Sequence, residues 1–292
     1  MSLRGIFMSA KVRGELFIVT AAVLWGTLGV AGRIAYQYGC TPGQLMFYRM
    51  LFVLPFIVYV LMRTPKRYIG LLLFFGAIIV TPFYLIYFYA VRYVGASTAA
   101  LILYTAPAYV AVISVAFLGE RLNWVILLAL FMALLGAIFV NMGAGMKKSA
   151  IGVLTAFLAA LLYALYIVGA KKLVSMKIPS ESVALVPYSI SIPILFLYSL
   201  IIEKHVLLDN IHQLIAALYL SLFPTGLAYV LYNIGLRTVQ ASTASILSTV
   251  EPVSATVLAW ILLRETITVF KLAGAALIVS SAIIIIKFGR SE

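Results

Sequence analysis

Two charged side chains stand inside otherwise uncharged apolar runs: Glu251 within Ser242–Leu263 and Arg49 within Gln44–Met62. A bare carboxylate in hydrocarbon costs several kcal/mol. Glu251 must therefore face a wet cavity, pair with a cation or hold a proton. Its chemistry would be contact with a solute amine or proton coupling; the plainer alternative is a carboxyl bonding backbone groups that Pro252 frees. Arg49 lies five residues into its run. It is open to snorkelling towards the nearer interface, to structural pairing, or to clamping a carboxylate or phosphate. Around these charges the apolar runs hold Trp25, Tyr84, Tyr87, Tyr104, Tyr109, Tyr163, Tyr166, Tyr229 and Tyr232. Packing alone accounts for any one of them. As a set, aromatic faces with hydroxyl handles suit an amphipathic or zwitterionic solute. Asn233, Ser248, Thr249 and Thr105 are further candidates for hydrogen bonds to it. We take Glu251, Trp25, Tyr87, Tyr104, Tyr163, Tyr232, Asn233, Ser248 and Arg49 as the candidate binding residues.

Other chemistries lack their residues. An intramembrane enzyme needs a nucleophile with its base, or a metal cluster, at depth. Both histidines, His205 and His212, lie in or beside one loop and are expected to be solvated. No H-E-x-x-H, paired-aspartate or G-x-S-x-G pattern occurs in an apolar run, and no G-x-x-x-x-G-K-[ST] loop occurs that would drive a primary pump. A channel would want a repeated filter sequence, which is missing. The lone Cys40 makes neither an internal disulfide nor a metal site. No catalytic residue, cofactor or metal is expected.

The elements that must position these residues follow from composition. Of 292 residues, 65% are hydrophobic and 10% charged, with a mean hydropathy of +1.15. An ordinary soluble domain is about 45–50% apolar and about 25% charged. A water-soluble enzyme, a nucleic-acid-binding module and a disordered chain are excluded. Ten runs reach the ~20 residues a helix needs to cross a bilayer. They are Glu15–Tyr36, Gln44–Met62, Ile69–Val91, Ser97–Leu118, Trp124–Asn141, Ile151–Ala170, Ser182–Ile202, Ile211–Leu236, Ser242–Leu263 and Thr268–Lys287. Continuous apolarity favours helices over the alternating strands of a barrel.

The formal charge of +13 reflects 21 Lys and Arg against 8 Asp and Glu. With these cations in short links, the excess is topogenic and does not mark a nucleic-acid surface. At one set of helix ends fall 13 cations and at the other 7, Arg49 apart. The bias puts both termini in the cytoplasm of a multi-pass plasma-membrane protein. The stretch Met1–Gly14 reads as a retained cytoplasmic tail because it lacks the small-residue cleavage site of a signal peptide.

The chain also repeats itself. Gly95-Ala96-Ser97-Thr98-Ala99 recurs as Gln240-Ala241-Ser242-Thr243-Ala244. At the same spacing of 145 residues Tyr87 meets Tyr232, Arg92 meets Arg237, Pro107 meets Pro252 and Glu120 meets Glu265. Nearer the start the spacing is 138: Gly14, Leu16, Trp25 and Arg33 fall on Gly152, Leu154, Tyr163 and Lys171. Two five-helix units are expected, 14–143 and 152–289. Five is odd, so the second unit enters the membrane from the opposite side. Such inverted repeats place a binding site near the midplane between halves and allow alternating access. Pro107 and Pro252, at matching depths, are expected to kink their helices around that vestibule. Pro82, Pro187, Pro193 and Pro224 are candidate hinges. Gly26, Gly29, Ala31, Gly32 and Ala35 are expected to let helices approach closely.

Several of these residues form a familiar pattern. Ala96-Ser97-Thr98-Ala99, Pro107 and Leu118-Gly119-Glu120-Arg121-Leu122, with Ala241-Ser242-Thr243-Ala244, Glu251-Pro252 and Leu263-Arg264-Glu265 in the second unit, resemble the signature of the EamA-like branch of the drug/metabolite transporter superfamily. Trp25-Gly26 and Arg49 fit it as well. Arg264 departs from the Gly119 of the first unit, so that turn is expected to close differently. The resemblance implies an all-α secondary transporter of ten helices in two five-helix repeats, moving small organic solutes. Amino-acid-like solutes are preferred, because a phosphorylated substrate calls for several deep cations where the runs hold one moderately deep arginine and one deep glutamate, and export is the expected direction; nucleotide sugars, phosphorylated sugars or drugs are the alternatives within the family. The expected partners are a small-molecule substrate, the lipid bilayer and coupling protons, with no nucleic acid, in a monomer or homodimer.

Overall fold

The computed structural model describes residues 9–142 and 149–289. Part of the N-terminal tail, Lys147, Lys148 and Arg290 lie outside the described residues. The helices that span the bilayer are α1 (Ala10–Gln37), α2 (Pro42–Arg63), α3 (Lys66–Val94), α4 (Ala96–Leu118), α5 (Trp124–Asn141), α6 (Ala150–Ser175), α7 (Ser180–Glu203), α8 (Ile211–Gly235), α9 (Ala241–Leu263) and α10 (Val269–Phe288). Each expected run lies on one of them, and α5 has the expected limits. No strand occurs among the described residues.

Local chemistry sets the ends. Ser9, Asn123, Ser149, Asn210 and Thr268 each accept a hydrogen bond from a backbone N–H in the first turn of the following helix, and Thr41 with Gln44 makes a full capping box at α2. α4 and α9 stop in the same way. Gly119 and Arg264 both take the left-handed conformation, at φ 67° and 55°, and their amides bond back to Ser114 and Ala259. The expected difference between the two turns is thus absent: Arg264 accepts the strain that glycine avoids. Arg264→Gly should therefore raise stability by about 0.5–1 kcal/mol, read as a higher thermal midpoint in detergent.

Breaks inside helices fall at equivalent places. α4 divides into Ala96–Leu103 and Ala106–Leu118, α9 into Ala241–Ser248 and Glu251–Leu263, with Pro107 and Pro252 each second in the later half. The prolines thus sit at the breaks, as a ring without an amide hydrogen requires. α3 and α8 each contain a wide π-type turn, Gly76–Val80 and Ser221–Leu227, beginning 145 residues apart. Pro224 lies inside the second and Pro82 just after the first.

In packing, α1 lies against α8 and α9, α6 against α3 and α4, and α5 along α10. Hydrocarbon offers little hydrophobic drive between helices, so close backbone approach at small residues does the work. At Gly136 and Gly274 a Cβ on either would stand 2.6–2.8 Å from the other's carbonyl oxygen. Gly14 is pressed on Thr238 and Val239, and Gly152 on Tyr93 and Val94, which stand 145 residues earlier. Of the small residues of α1, Gly26 is tightly packed, while Gly29 has open space where a Cβ would go. That part of the expected stripe is not a packing seam.

Candidate functional site

The break in α9 puts Glu251 first in the helix half that follows it. Gly26 of α1 brings the backbones together there: a Cβ on it would lie 2.8 Å from the Glu251 carbonyl oxygen and 1.9 Å from Ser254 Oγ. Trp25 is consequently level with the break. It is buried, with Nε1 donating to the Pro224 carbonyl at 3.0 Å and its ring 5.0 Å from Tyr229 and 5.1 Å from Tyr232. That carbonyl lies in the π-type turn of α8, whose widened geometry leaves it free to accept.

Arg49 turns inwards and does not snorkel. It is 3% exposed, donates from Nε to Thr225 Oγ1 and from a terminal nitrogen to Met46 Sδ at 3.7 Å, and lies 5.9 Å from the Tyr84 ring centre. Glu251 lies within interaction range of the Tyr104 hydroxyl and of Arg49. Among the described residues, neither Glu251 nor Arg49 forms an ion pair within 4.0 Å. The bundle centre therefore holds a carboxyl group and a guanidinium that make no direct contact with one another. Glu251, Tyr87, Tyr104 and Tyr163 keep part of their surface accessible although all lie mid-span.

Other candidates are packed away. Tyr232 and Asn233 are fully buried; Asn233 donates to the Tyr229 carbonyl at 2.9 Å and to the Tyr166 hydroxyl at 3.1 Å. The Tyr232 hydroxyl and Asn233 Oδ1 have no hydrogen-bond partner among the described residues. Ser248 is buried and donates to the Ser245 carbonyl of its own helix. Tyr84 and Tyr229, 145 residues apart, share a hydrogen bond of 2.9 Å between hydroxyls, and Tyr188 approaches Tyr84 at 3.4 Å. The space beside these tyrosines is closed down to little more than one water. A ready-made chamber is thus absent on that side.

Sequence reasoning missed Tyr188 and Thr225, which only the fold brings to Tyr84 and Arg49. It also missed the Tyr84–Tyr229 pair, although the repeat spacing that matched Tyr87 with Tyr232 would have found it.

At one end of the bundle Arg33 and Lys271 both reach Glu265: Arg33 in direct contact, Lys271 at 3.6 Å. Beyond the same end, His205 pairs with Asp209 at 2.9 Å and His212 stacks on Tyr38. Glu203 accepts from Thr41 Oγ1 and from the Gly43 and Gln44 amides, joining the first link to α7. Cys40 lies in that link, buried, and burial with the nearby Glu203 and Asp209 charges pushes its thiol from 9.0 to about 11. Because the thiolate is the nucleophile, maleimide labelling of Cys40 at pH 7 should be about 100-fold slower than for an ordinary thiol. It should rise about tenfold per pH unit up to about pH 11, which mass spectrometry of timed samples would check.

Comparison with known proteins adds the following. The model of a family described as the EamA-like transporter family matches residues 12–142 and 150–287. A protein of Archaeoglobus fulgidus described as an uncharacterized transporter is 30% identical over 284 residues, covering 93% of this chain and 95% of its own. One of Clostridium kluyveri with the same description is 25% identical over 289 residues, covering 93% and 92%. A solved structure, described only as a crystal structure of a protein, superposes with a TM-score of 0.79 at 22% identity over 93% of this chain and 95% of that one. That last likeness concerns the fold alone.

Proposed function

This chain belongs to the EamA-like transporter family, and on that premise we propose that it carries small zwitterionic, amino-acid-like metabolites across the bilayer by alternating access. It is a multi-pass membrane transporter. The observation that carries the substrate class is the pair of separated charges: Arg49, buried and without an acidic contact, and Glu251, accessible at mid-span. A zwitterion satisfies both, its carboxylate taking the guanidinium's free donors and its ammonium taking Glu251. Tyr87, Tyr104 and Tyr163 supply faces and hydroxyls for the remainder. A phosphorylated solute would want several deep cations, and among the described residues Arg49 is the one cation set well inside a span.

We also propose that the units 14–143 and 152–289 are inverted repeats, the transporter working as no enzyme does, with both termini cytoplasmic in the plasma membrane and substrate moving outwards. The Tyr84–Tyr229 bond and the matched seats of Gly14 and Gly152 support a twofold relation between the units. Glu251 is the candidate proton carrier. Counterflow in proteoliposomes tests the substrate class: internal leucine, threonine or phenylalanine should drive uptake of the labelled amino acid, with nucleosides and glucose 6-phosphate inert. Counterflow confined to the sugar phosphate would overturn the proposal.

A further inference from the structure

Four charged residues hold equivalent places in the two units but make different bonds. Glu120 follows α4 and Glu265 follows α9, 145 residues apart; Arg33 in α1 and Lys171 in α6 are 138 apart. The buried Glu120 accepts from the Ala241 amide at 2.5 Å, from the Ser242 amide at 3.1 Å and from Ser242 Oγ at 2.7 Å. Lys171 donates to the carbonyls of Leu236 and Val239, both at 2.7 Å. The turn from α8 into α9 is therefore gripped at both ends. An anion sits on the amides that open one helix and a cation on the carbonyls that close the other, each where the helix dipole favours it. Residues Ala241–Thr249 are buried without exception.

At the opposite end of the bundle the equivalent turn, from α3 into α4, is not gripped in this way. Ala96 and Ser97 are exposed, and Thr98 Oγ1 is buried with no partner among the described residues. The two residues placed to hold this turn, Arg33 and Glu265, bind each other. We propose that these residues are alternating clasps that decide which end of the transporter is sealed. In the opposite-facing state Glu265 caps the Ala96 and Ser97 amides and Arg33 takes the Val91 and Val94 carbonyls, while Glu120 and Lys171 release the other turn and pair together. The inference rests on the alternating-access reading above, and makes all four residues positioning residues for transport.

Labelling tests it without any substrate. Single cysteines at Ala96→Cys or Ala241→Cys, in a Cys40→Ser background, are reacted with a hydrophilic maleimide in nanodiscs, where both faces meet the reagent. The parent should label faster at position 96. Glu120→Gln should raise the rate at 241 about tenfold and lower that at 96. Adding Glu265→Gln should return the ratio towards the parent's, which a merely misfolded protein would not do. Unchanged rates, or both rates rising together, overturn the clasp. Should Glu120→Gln not fold, Ser242→Ala removes one of its three bonds and should move the ratio about threefold the same way; no movement there overturns the proposal too. Reciprocal labelling with failed amino-acid counterflow would sink the substrate class alone, and intact counterflow without reciprocity would sink the clasp alone.

Discussion

Glu251→Gln should weaken binding of a zwitterionic amino acid about 100-fold, equivalent to about 2.7 kcal/mol, while leaving the thermal midpoint nearly unchanged. The side chains are isosteric and the Tyr104 hydroxyl still finds an oxygen, so packing against Gly26 is kept. What disappears is the anion facing the substrate ammonium, and truncating one partner of a desolvated charge pair costs about 2–5 kcal/mol. The amide takes up no proton, so any pH dependence that this group gives to transport goes with it. Isothermal titration and counterflow across a pH series would check both. Full transport with an unaltered pH profile in the variant would remove Glu251 from the site.

Arg49→Ala should cost a similar factor, about 100-fold, against amino acids, and far less against the matching amine that lacks the carboxylate. That contrast separates recognition from packing. Thr225 and Met46 lose their partner in the variant whatever the ligand, so a purely structural role would depress both ligands alike. Arg49→Lys should recover little, because an ammonium presents no planar fork to a carboxylate. Binding measured with leucine and isoamylamine would settle the point.

The fold was legible because hydrocarbon leaves so few options. Uninterrupted apolar runs of about 20 residues become helices, and Asn123 capping α5 at Trp124 is readable from side-chain chemistry alone. The site was legible in its charges: Glu251 and Arg49 stand out because charge inside an apolar run needs a reason. Their environment was not. Thr225 reaches Arg49 from a π-type turn, and no spacing rule announces such a turn. Trp25, marked for the cavity, spends its faces on Tyr229 and on Tyr232, which was marked with it. Periodicity identifies a helix but cannot tell an inward face that meets solvent from one that meets a neighbour.

The hydroxyl bond from Tyr84 to Tyr229 joins positions that correspond in the two units. Such a junction is its own image when the halves trade shapes, so rocking can leave it intact. It behaves as a fulcrum: the lever arms swing while the bearing stays engaged. The work of reorientation then falls at the rims, and a bulkier side chain at the bearing would jam the machine without touching its cargo.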